Sequence, residues 1–289
     1  MAVSKEQALK AFEDARRIEG FDARDLTGFR DTKGMVAIVT GAARGIGRNC
    51  AEAFAHEGIH VVITDILEDV HQTWREISAQ YPENKGYAVR LDVADEDAVK
   101  DLVFGTVDKL GKLDIMYNNA GMHAGGAPVA DTNMSDVDRV FAVNFKGIFH
   151  GCKYAAQVMR KQKFGTIVNT GSFFGKVGHA GSATYGASKG AVHTMTQALA
   201  LEMAPYGVNV NALCPGLAAS EMHWGFMAEE AQERGITFEA LMREELKAVP
   251  LNRYGYGRDS AGAIMWLATP SGKYVTGQLI NINGGLDFT

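Results

Sequence analysis

Three side chains in the second half of the sequence have the types and spacing that proton transfer requires. Tyr185 and Lys189 stand four positions apart in residues 183–201, a segment of helical period, so both project from one face of the predicted helix. Ser172 lies 13 positions before Tyr185, just after a β-branched run that ends at Thr170. A tyrosine, with a reference pKa of about 10, is a weak base at neutral pH, but a neighbouring ammonium stabilises its phenolate. The set predicts acid–base chemistry at a substrate oxygen.

A glycine-rich turn, T-G-A-A-R-G-I-G at residues 40–47, follows the first predicted strand. Glycines allow a tight turn and close approach to a pyrophosphate, and the helix that follows offers free N–H groups and a positive dipole end. Asp65 ends the second predicted strand 18 positions after Gly47. This is close to the ~20 positions expected for an acid that binds an adenosine ribose. The pattern predicts a dinucleotide site.

Asp65 also bears on which nicotinamide cofactor is preferred. Its carboxylate would repel the 2′-phosphate of NADP, and Ile66 and Leu67 after it bring no compensating charge. Arg44 in the glycine turn is the opposing feature, since a guanidinium can pair with that phosphate. We expect NAD as the cofactor, with Arg44 as a solvated side chain near the pyrophosphate.

These residues need a scaffold, and short β-branched runs alternate with helix-length segments from residue 35 onward. Runs buried on both faces with helices between them predict an α/β fold, a Rossmann-type doubly wound sheet of about seven parallel strands with helices on both faces. No linker or repeat marks a second domain. The strand candidates are residues 35–40, 60–65, 86–91, 113–117, 165–170, 208–213 and 278–282.

Residues 1–34 have a different pattern. Ser4 and Gln7 have capping-box spacing, and Leu9 and Phe12 lie one helical turn apart, which predicts a short amphipathic helix before a polar connector. We interpret this segment as an N-terminal helical arm and residues 35–289 as the catalytic domain.

Composition and charge exclude several classes of protein. The 289 residues are 46% hydrophobic and 22% charged, with a net charge of −5 and no long basic block, so nucleic acid is not an expected partner. No apolar run approaches the ~20 residues of a membrane span, and the N-terminus lacks a secretory signal, so we expect no membrane partner and a cytoplasmic location. Three dispersed cysteines support no disulfide framework: Cys50, Cys152 and Cys214.

No metal site is expected either. His56 and His60 are four apart, but Gly58 lies between them where the helix should end, and no third ligand has zinc spacing.

The sequence resembles the short-chain dehydrogenase/reductase family, in the group with the glycine motif T-G-x-x-x-G-x-G. The similarity covers roughly residues 34–287 and rests on separate motifs that recur in order. They are residues 40–47, Leu91-Asp92-Val93, Asn118-Asn119-Ala120-Gly121, Asn144, Ser172, Tyr185-Gly186-Ala187-Ser188-Lys189, and Pro215-Gly216.

The resemblance implies roles for the catalytic set. Tyr185 corresponds to the general acid/base, and Lys189 to the residue that tunes it and binds the nicotinamide ribose. Ser172 corresponds to the residue that orients the substrate oxygen. Asn144 matches the asparagine that holds a water in a proton relay linking Lys189 to solvent.

The resemblance also implies a cofactor-binding set. Asp92 matches the residue at the adenine, residues 118–121 the ribose side, and residues 215–220 the turn over the nicotinamide carboxamide. Three positions depart from the pattern: Gly171 where serine is common, Ala218 where valine or isoleucine is usual, and Ser220 in place of threonine. The full set is Gly41, Arg44, Gly45, Ile46, Gly47, Asp65, Asp92, Val93, Asn119, Ala120, Gly121, Tyr185, Lys189, Pro215, Gly216, Ala218 and Ser220.

Residues 221–249 fall where the family carries a variable lid over the substrate. Phe173 and Phe174 follow the catalytic serine, and His179 lies in a loop that edges the pocket, either as a substrate contact or as a surface histidine. The apolar and aromatic residues of the lid are Met222, Trp224, Phe226 and Met227. Part of the lid is expected to pack on itself, and the remainder favours a bulky apolar, cyclic or steroid-like substrate.

The leading hypothesis is therefore an NAD-dependent enzyme that interconverts a secondary alcohol and a ketone. The alternatives are an NADP-linked reductase of the 3-oxoacyl type, against which Asp65 argues, and a non-catalytic nucleotide-binding sensor, which has no need of the catalytic set. The resemblance further implies a homotetramer or dimer, paired through the helices at residues 134–161 and 183–204.

Overall fold

The computed structural model describes residues 31–123 and 126–289. Its seven strands are β1 (Val36–Thr40), β2 (His60–Asp65), β3 (Tyr87–Arg90), β4 (Ile115–Asn118), β5 (Gly165–Thr170), β6 (Val208–Pro215) and β7 (Leu279–Ile282). All are parallel and form one sheet in the order β3-β2-β1-β4-β5-β6-β7. The predicted doubly wound sheet is confirmed, with strand ends within about two residues of those expected. The helix predicted near the N-terminus falls on residues 1–30, outside the described residues.

Helices connect the strands and cover both faces of the sheet. They are α1 (Gly45–His56), α2 (Asp69–Gln80), α3 (Glu96–Leu110), α4 (Met134–Phe141), α5 (Ile148–Gln162), α6 (Ala183–Met203), α7 (Glu221–Arg234), α8 (Phe238–Ala248) and α9 (Gly257–Ala268). A π-helical turn, Ala142–Gly147, joins α4 to α5.

Alternate residues of the central strand β1 serve opposite layers of the core. Val39 belongs to the cluster that contains Phe54 of α1, and Ile38 to the cluster that contains Leu102 of α3. All five residues of β1 are buried, because a parallel strand with helices on both faces has no solvent side.

The strand order reverses between β1 and β4, which places a crevice at their carboxyl ends. Strand register brings Val39 opposite Tyr117, Asn118 opposite Asn169, and Thr170 opposite Leu213. The segments that follow β1, β4, β5 and β6 therefore meet at one edge of the sheet, where the predicted site residues lie.

Within residues 31–123 and 126–289, no helix combines the length and apolarity that a membrane crossing needs. The same residues hold no group of three or more His, Cys, Asp or Glu side chains arranged to bind a metal ion.

Candidate active site

The glycine turn between β1 and α1 has the shape that a dinucleotide requires. Gly41 and Gly45 have φ values of +65° and +59°, which side-chain-bearing residues rarely adopt. A Cβ on Gly47 would lie 2.2 Å from the carbonyl oxygen of Gly41. Helix α1 has no side-chain cap at Arg44 and no acid in its first turn, so its first N–H groups and dipole are available to a phosphate. These features fit a pyrophosphate.

Asp65 holds this turn in place. One carboxylate oxygen accepts the N–H of Ala43 at 3.0 Å, and the other accepts the N–H of Leu67 at 3.0 Å. Each oxygen of an ionised carboxylate has capacity for a further hydrogen bond. The same group can therefore fix the turn and accept ribose hydroxyls.

Strand pairing brings a cation beside Asp65 that sequence reasoning missed. Arg90 of β3 lies in register with Asp65, although it is 25 positions away in the chain. Its Nε donates to the carbonyl of Ile66 at 2.9 Å, and its Nη1 lies 3.2 Å from Glu68. Arg90 is thus engaged by two partners, while Arg44 is exposed at the turn. Only the pairing of β2 with β3 signals this neighbour.

Asn119 and Ala120 clamp the turn from β4. The amide of Asn119 donates to the carbonyls of Thr40 and Gly41 at 2.9 and 3.1 Å. In return, Thr40 Oγ1 accepts the N–H groups of Asn119 and Ala120, each at 3.0 Å. A Cβ on Gly121 would lie 3.4 Å from Asn144 Oδ1 and 3.5 Å from Lys189 Nζ. This stretch connects the cofactor turn to the catalytic residues.

Asp92 and Val93 follow β3 at the outer end of the crevice. Asp92 is exposed, and its carboxylate accepts the N–H of Ala94 at 2.9 Å. Val93 is buried, and its carbonyl is 3.0 Å from His150 Nδ1. The residue predicted at the adenine is therefore open to solvent, while its neighbour anchors helix α5.

The turn after β6 connects the sheet to the lid helices. Gly216 donates to the carbonyl of Ile282 at 3.2 Å, and a bridge pairs Ala218 with Gly255. Ser220 Oγ accepts the N–H of His223 at 3.3 Å and so caps α7. At the other side of the crevice, the Glu221 carboxylate would lie 3.4 Å from a Cβ on Gly45. The start of the lid lies directly against the glycine turn, and Pro215 ends the strand that carries it.

Ser172, Tyr185 and Lys189 converge at the end of β5. The hydroxyl of Ser172 accepts the N–H of Phe174 at 3.2 Å and hydrogen-bonds Tyr185. Lys189 is only 1% exposed; its Nζ donates to the carbonyl of Thr170 at 2.8 Å and lies 5.6 Å from the ring centroid of Tyr185. The three groups lie together at the end of β5, as a serine–tyrosine–lysine set requires.

The electrostatics differ from the expectation that Lys189 lowers the pKa of Tyr185. In the ligand-free chain, burial raises the pKa of Tyr185 to about 12, and the hydrogen bond from Ser172 offsets only part of that rise. Burial also lowers the pKa of Lys189 to about 8. Desolvation dominates both pKa shifts, and the Lys189 ammonium is directed at Thr170 rather than at the phenol oxygen.

Asn144 lies in the π-helical turn, a feature that often marks functional sites. Its Oδ1 accepts the N–H of Met122 at 2.8 Å, and its amide donates to the carbonyl of Met122 at 2.9 Å and to Ser188 Oγ at 3.1 Å. The side chain joins the loop after β4 to helix α6. Its water-holding role stays a prediction.

Aromatic rings surround Tyr185, and one of them was not predicted. His123 lies 5.2 Å from the ring of Tyr185 and 5.5 Å from that of Phe226, centroid to centroid. Burial lowers the pKa of His123, so this wall of the pocket is neutral at pH 7. On the other side Phe174 is 6.2 Å from Tyr185. The position of His123, two residues past the Asn-Asn-Ala-Gly motif, was the available signal.

Of the remaining predicted substrate contacts, some lie near Tyr185 and others pack within the lid. His179 stacks on Phe174 at 4.6 Å and is exposed, so it touches the pocket through that ring. In the lid, Trp224 and Met227 pack within a cluster formed by α7, α8 and Tyr254. Of the predicted lid residues, Phe226 contacts the ring of His123, and Met222 is exposed. Self-packing therefore accounts for part of the lid, as expected.

Residues 41–287 match the sequence profile described as "Enoyl-(Acyl carrier protein) reductase", which spans most of the chain and includes Ser172, Tyr185 and Lys189. The chain belongs to the short-chain dehydrogenase/reductase family. Membership identifies it as an oxidoreductase of a family that binds a nicotinamide cofactor.

Individual members of the family show how widely the relatives differ. The chain is 35% identical to 3-oxoacyl-[acyl-carrier-protein] reductase FabG of Staphylococcus aureus, over 86% of this chain and 97% of that protein. It is 37% identical to secoisolariciresinol dehydrogenase of Forsythia intermedia, over 89% and 90%. A solved structure of a variant actinorhodin polyketide ketoreductase with NADPH superposes with a TM-score of 0.82 at 31% identity, covering 87% and 97%.

Proposed function

We propose that this chain is an NAD-dependent oxidoreductase that interconverts a secondary alcohol and a ketone. The observation that carries the proposal is the convergence of Ser172, Tyr185 and Lys189 at the carboxyl end of β5, beside a glycine turn fitted to a dinucleotide. A nucleotide sensor would not need a half-buried tyrosine beside a buried lysine at that point.

The roles follow from the contacts. A bound nicotinamide would accept or donate the hydride, and the chain's own residues donate or accept the proton. Ser172 orients the substrate oxygen, because its Oγ is fixed by the Phe174 N–H and lies beside the Tyr185 hydroxyl, so both hydroxyls can reach one substrate oxygen. Tyr185 gives or takes the substrate proton. Lys189, with a pKa near 8, is mostly charged at pH 7 and stabilises the phenolate when it forms.

The high pKa of Tyr185 suits ketone reduction without further change, because the phenol carries the proton that it must donate. Alcohol oxidation needs the phenolate, and positive charge on the oxidised cofactor beside it would favour that form. The chain thus has its proton donor in place before a ligand binds.

The choice of NAD over NADP rests on Asp65. A 2′-phosphate would meet its carboxylate, whose two oxygens are held by Ala43 and Leu67 and cannot turn away. The second candidate, an NADP-linked reductase, is favoured by two observations: Arg90 lies opposite Asp65, and the solved relative binds NADPH. Initial rates with NAD and NADP on one substrate decide between them, and a preference for NADP would overturn the first proposal.

The pocket around Tyr185 suits a cyclic or otherwise bulky alcohol. His123, Phe226 and Phe174 provide aromatic contacts around Tyr185. The cavity beside His123 and Tyr185 is otherwise lined mainly by polar residues, among them Asp131, Asp136, Ser182 and Thr184. A ring with one apolar face and a nearby polar group would match both surfaces. The secoisolariciresinol dehydrogenase relative is consistent with a bulky substrate.

A panel of aliphatic, cyclic, aromatic and steroid alcohols, each with NAD⁺ and followed by the absorbance of reduced nicotinamide, tests both parts of the proposal. We expect the cyclic and aromatic alcohols to have the highest kcat/KM. Activity only on short linear alcohols would overturn the substrate class, and no oxidation or reduction of any panel member would overturn the activity.

We also propose a homotetramer or dimer assembled through α4–α5 and α6. Two exposed apolar side chains support this: Phe149 on α5 and Leu201 on α6, which are 47% and 79% exposed. A solution mass at micromolar concentration that shows only monomer would contradict it.

A further inference from the structure

Behind the catalytic serine lies a buried histidine that no motif predicted. His193 is on α6, four positions after Lys189 and eight after Tyr185, and is 5% exposed. Its Nε2 lies 3.4 Å from the backbone nitrogen of Ser172 and 3.4 Å from Cys214 Sγ. The ring also hydrogen-bonds the backbone of Gly175. The histidine therefore contacts both ends of the turn that presents the catalytic hydroxyl.

The proton positions in this cluster follow from its donors. Burial lowers the pKa of His193 to about 4, with Lys176 and Lys189 adding to the effect, so the ring is neutral at pH 7. Burial raises the pKa of Cys214 to about 11, so the thiol keeps its proton. The Ser172 N–H can only donate, so Nε2 must be the acceptor nitrogen. The ring proton is then on Nδ1, on the Gly175 side.

Gly171 provides the space that the ring occupies. A Cβ at this position would lie 2.5 Å from His193 Nε2, 2.9 Å from its Cδ2 and 3.2 Å from Cys214 Sγ. Gly175 is similarly close, since a Cβ there would lie 2.6 Å from His193 Cε1. The glycine that replaces the family's common serine at 171 is thus the counterpart of the histidine at 193.

We propose that His193 is a positioning residue for the reaction: its neutral ring fixes the Ser172–Gly175 turn from behind, so that the Ser172 hydroxyl meets the substrate oxygen in a reactive geometry. This inference rests on the proposed function for its kinetic part only. Without the ring, the buried Ser172 N–H loses its nitrogen acceptor and keeps only the weaker acceptor Cys214 Sγ, so the turn can move by the fraction of an ångström that matters for catalysis.

The test is a double-mutant cycle between His193→Leu and Ser172→Ala. His193→Leu keeps bulk but removes the acceptor, and we expect kcat to fall about tenfold or more with little change in the KM for NAD. In the Ser172→Ala background the same substitution should have almost no further effect, because the residue acts through Ser172. His193→Gln, which offers an oxygen near the position of Nε2, should recover most of the rate.

Thr196→Val is the matched control. It removes a buried hydrogen bond from the same helix, between Asn169 Nδ2 and Thr196 Oγ1 at 3.0 Å, without touching the Ser172 turn. It should lower thermal stability while leaving kcat nearly unchanged. An equal loss of kcat from His193→Leu in both backgrounds, or no loss in either, would overturn the proposal.

A second variant and a second measurement apply where His193→Leu does not fold or the chain has no activity. If His193→Leu does not fold, Gly171→Ala takes its place in the cycle, because it displaces the ring without deleting it. If the chain oxidises no alcohol, the proposed function fails on its own. Amide hydrogen exchange then tests whether His193 fixes the Ser172–Gly175 turn, since the Ser172 N–H should be protected in the parent and in His193→Gln. A Ser172 amide that exchanges as fast in the parent as in His193→Leu would overturn the proposal.

Discussion

The cofactor half of the crevice and the substrate half are built by different kinds of contact. In the cofactor half, Asp65 and Asn119 bind backbone groups of the glycine turn, and Thr40 of that turn accepts the backbone N–H of Asn119, so these polar side chains also hold the loop together. In the substrate half, rings from distant segments meet around Tyr185, as His123 and Phe226 do. These ring contacts are not hydrogen bonds.

Because of this difference, substitutions in the two halves should affect stability and activity differently. A substitution in the cofactor half should alter ligand preference and loop stability together, because the same oxygen atoms serve both. A substitution at the reacting groups should remove activity while the fold persists, because Tyr185 has its ring in packing contacts and only its hydroxyl in the reaction.

The largest effect is expected for Tyr185→Phe. The ring contacts with His123 and Phe174 survive, and only the proton-transferring oxygen is lost. The rate should fall by about 10²-fold or more, the usual scale for a positioned acid/base group. Steady-state kinetics measure the fall, and cofactor titration by fluorescence should show unchanged affinity. Near-parental turnover in a variant that binds NAD normally would reassign the proton transfer.

Asp65→Asn should have a smaller effect on two quantities at once. The substitution removes the charge that opposes a 2′-phosphate and one of the two acceptors for Ala43 and Leu67. The NAD preference, as a ratio of kcat/KM values, should narrow by about tenfold, and stability should fall by about 1 kcal/mol.

Arg90→Gln is the control for that comparison. It removes the cation that lies in register with Asp65 while keeping an unbranched polar side chain. The ratio of kcat/KM with NAD to kcat/KM with NADP should then increase. If neither substitution changes the ratio, the cofactor preference does not reside at the end of β2.

The sequence was sufficient for the regular parts of the molecule and for its motifs. Seven β-branched runs predicted seven strands, because parallel strands buried on both faces need continuous apolar sequence. Tyr185 and Lys189 were predictable because helical spacing alone puts them on one face. The contacts of Arg90, His123 and His193 were not, because they depend on strand register, ring packing and the space left by a glycine at position 171. The prediction that Lys189 lowers the pKa of Tyr185 was wrong for the ligand-free chain, because burial raises that pKa and cannot be inferred from spacing.

Lys189→Met should reveal the burial of the ammonium as a pH-dependent stability. The folded-state pKa of Lys189 is lowered from 10.5 to about 8, so between those values the unfolded chain binds more protons than the folded one. The parent should therefore gain stability as pH rises from about 8 to about 10.5. The methionine variant lacks this term, so its stability relative to the parent should decline over that range by ~1 kcal/mol or more. Denaturant unfolding at several pH values measures the difference, and a constant difference would contradict the buried charge.

The smallest expected effect compares two helix caps in the lid. Ser220 Oγ caps α7 and Thr237 Oγ1 caps α8 by accepting the N–H of Ala240 at 3.2 Å, so each serves one helix in the same way. Replacing either by alanine should destabilise its helix by about 1 kcal/mol, measurable as faster amide exchange in the first turn.

Only Ser220 lies at the junction of the two halves, at the end of the turn that carries Pro215 and Gly216, with Glu221 beyond it near Gly45. If its hydroxyl also holds the carboxamide of the cofactor, Ser220→Ala should raise the KM for NAD by about 2–10-fold, the equivalent of one neutral hydrogen bond. Thr237→Ala should leave that KM unchanged, because α8 packs on α7 rather than on the crevice. Equal changes in KM for the two variants would mean that cofactor affinity follows the general order of the lid, and that the hydroxyl at position 220 contributes only as a cap.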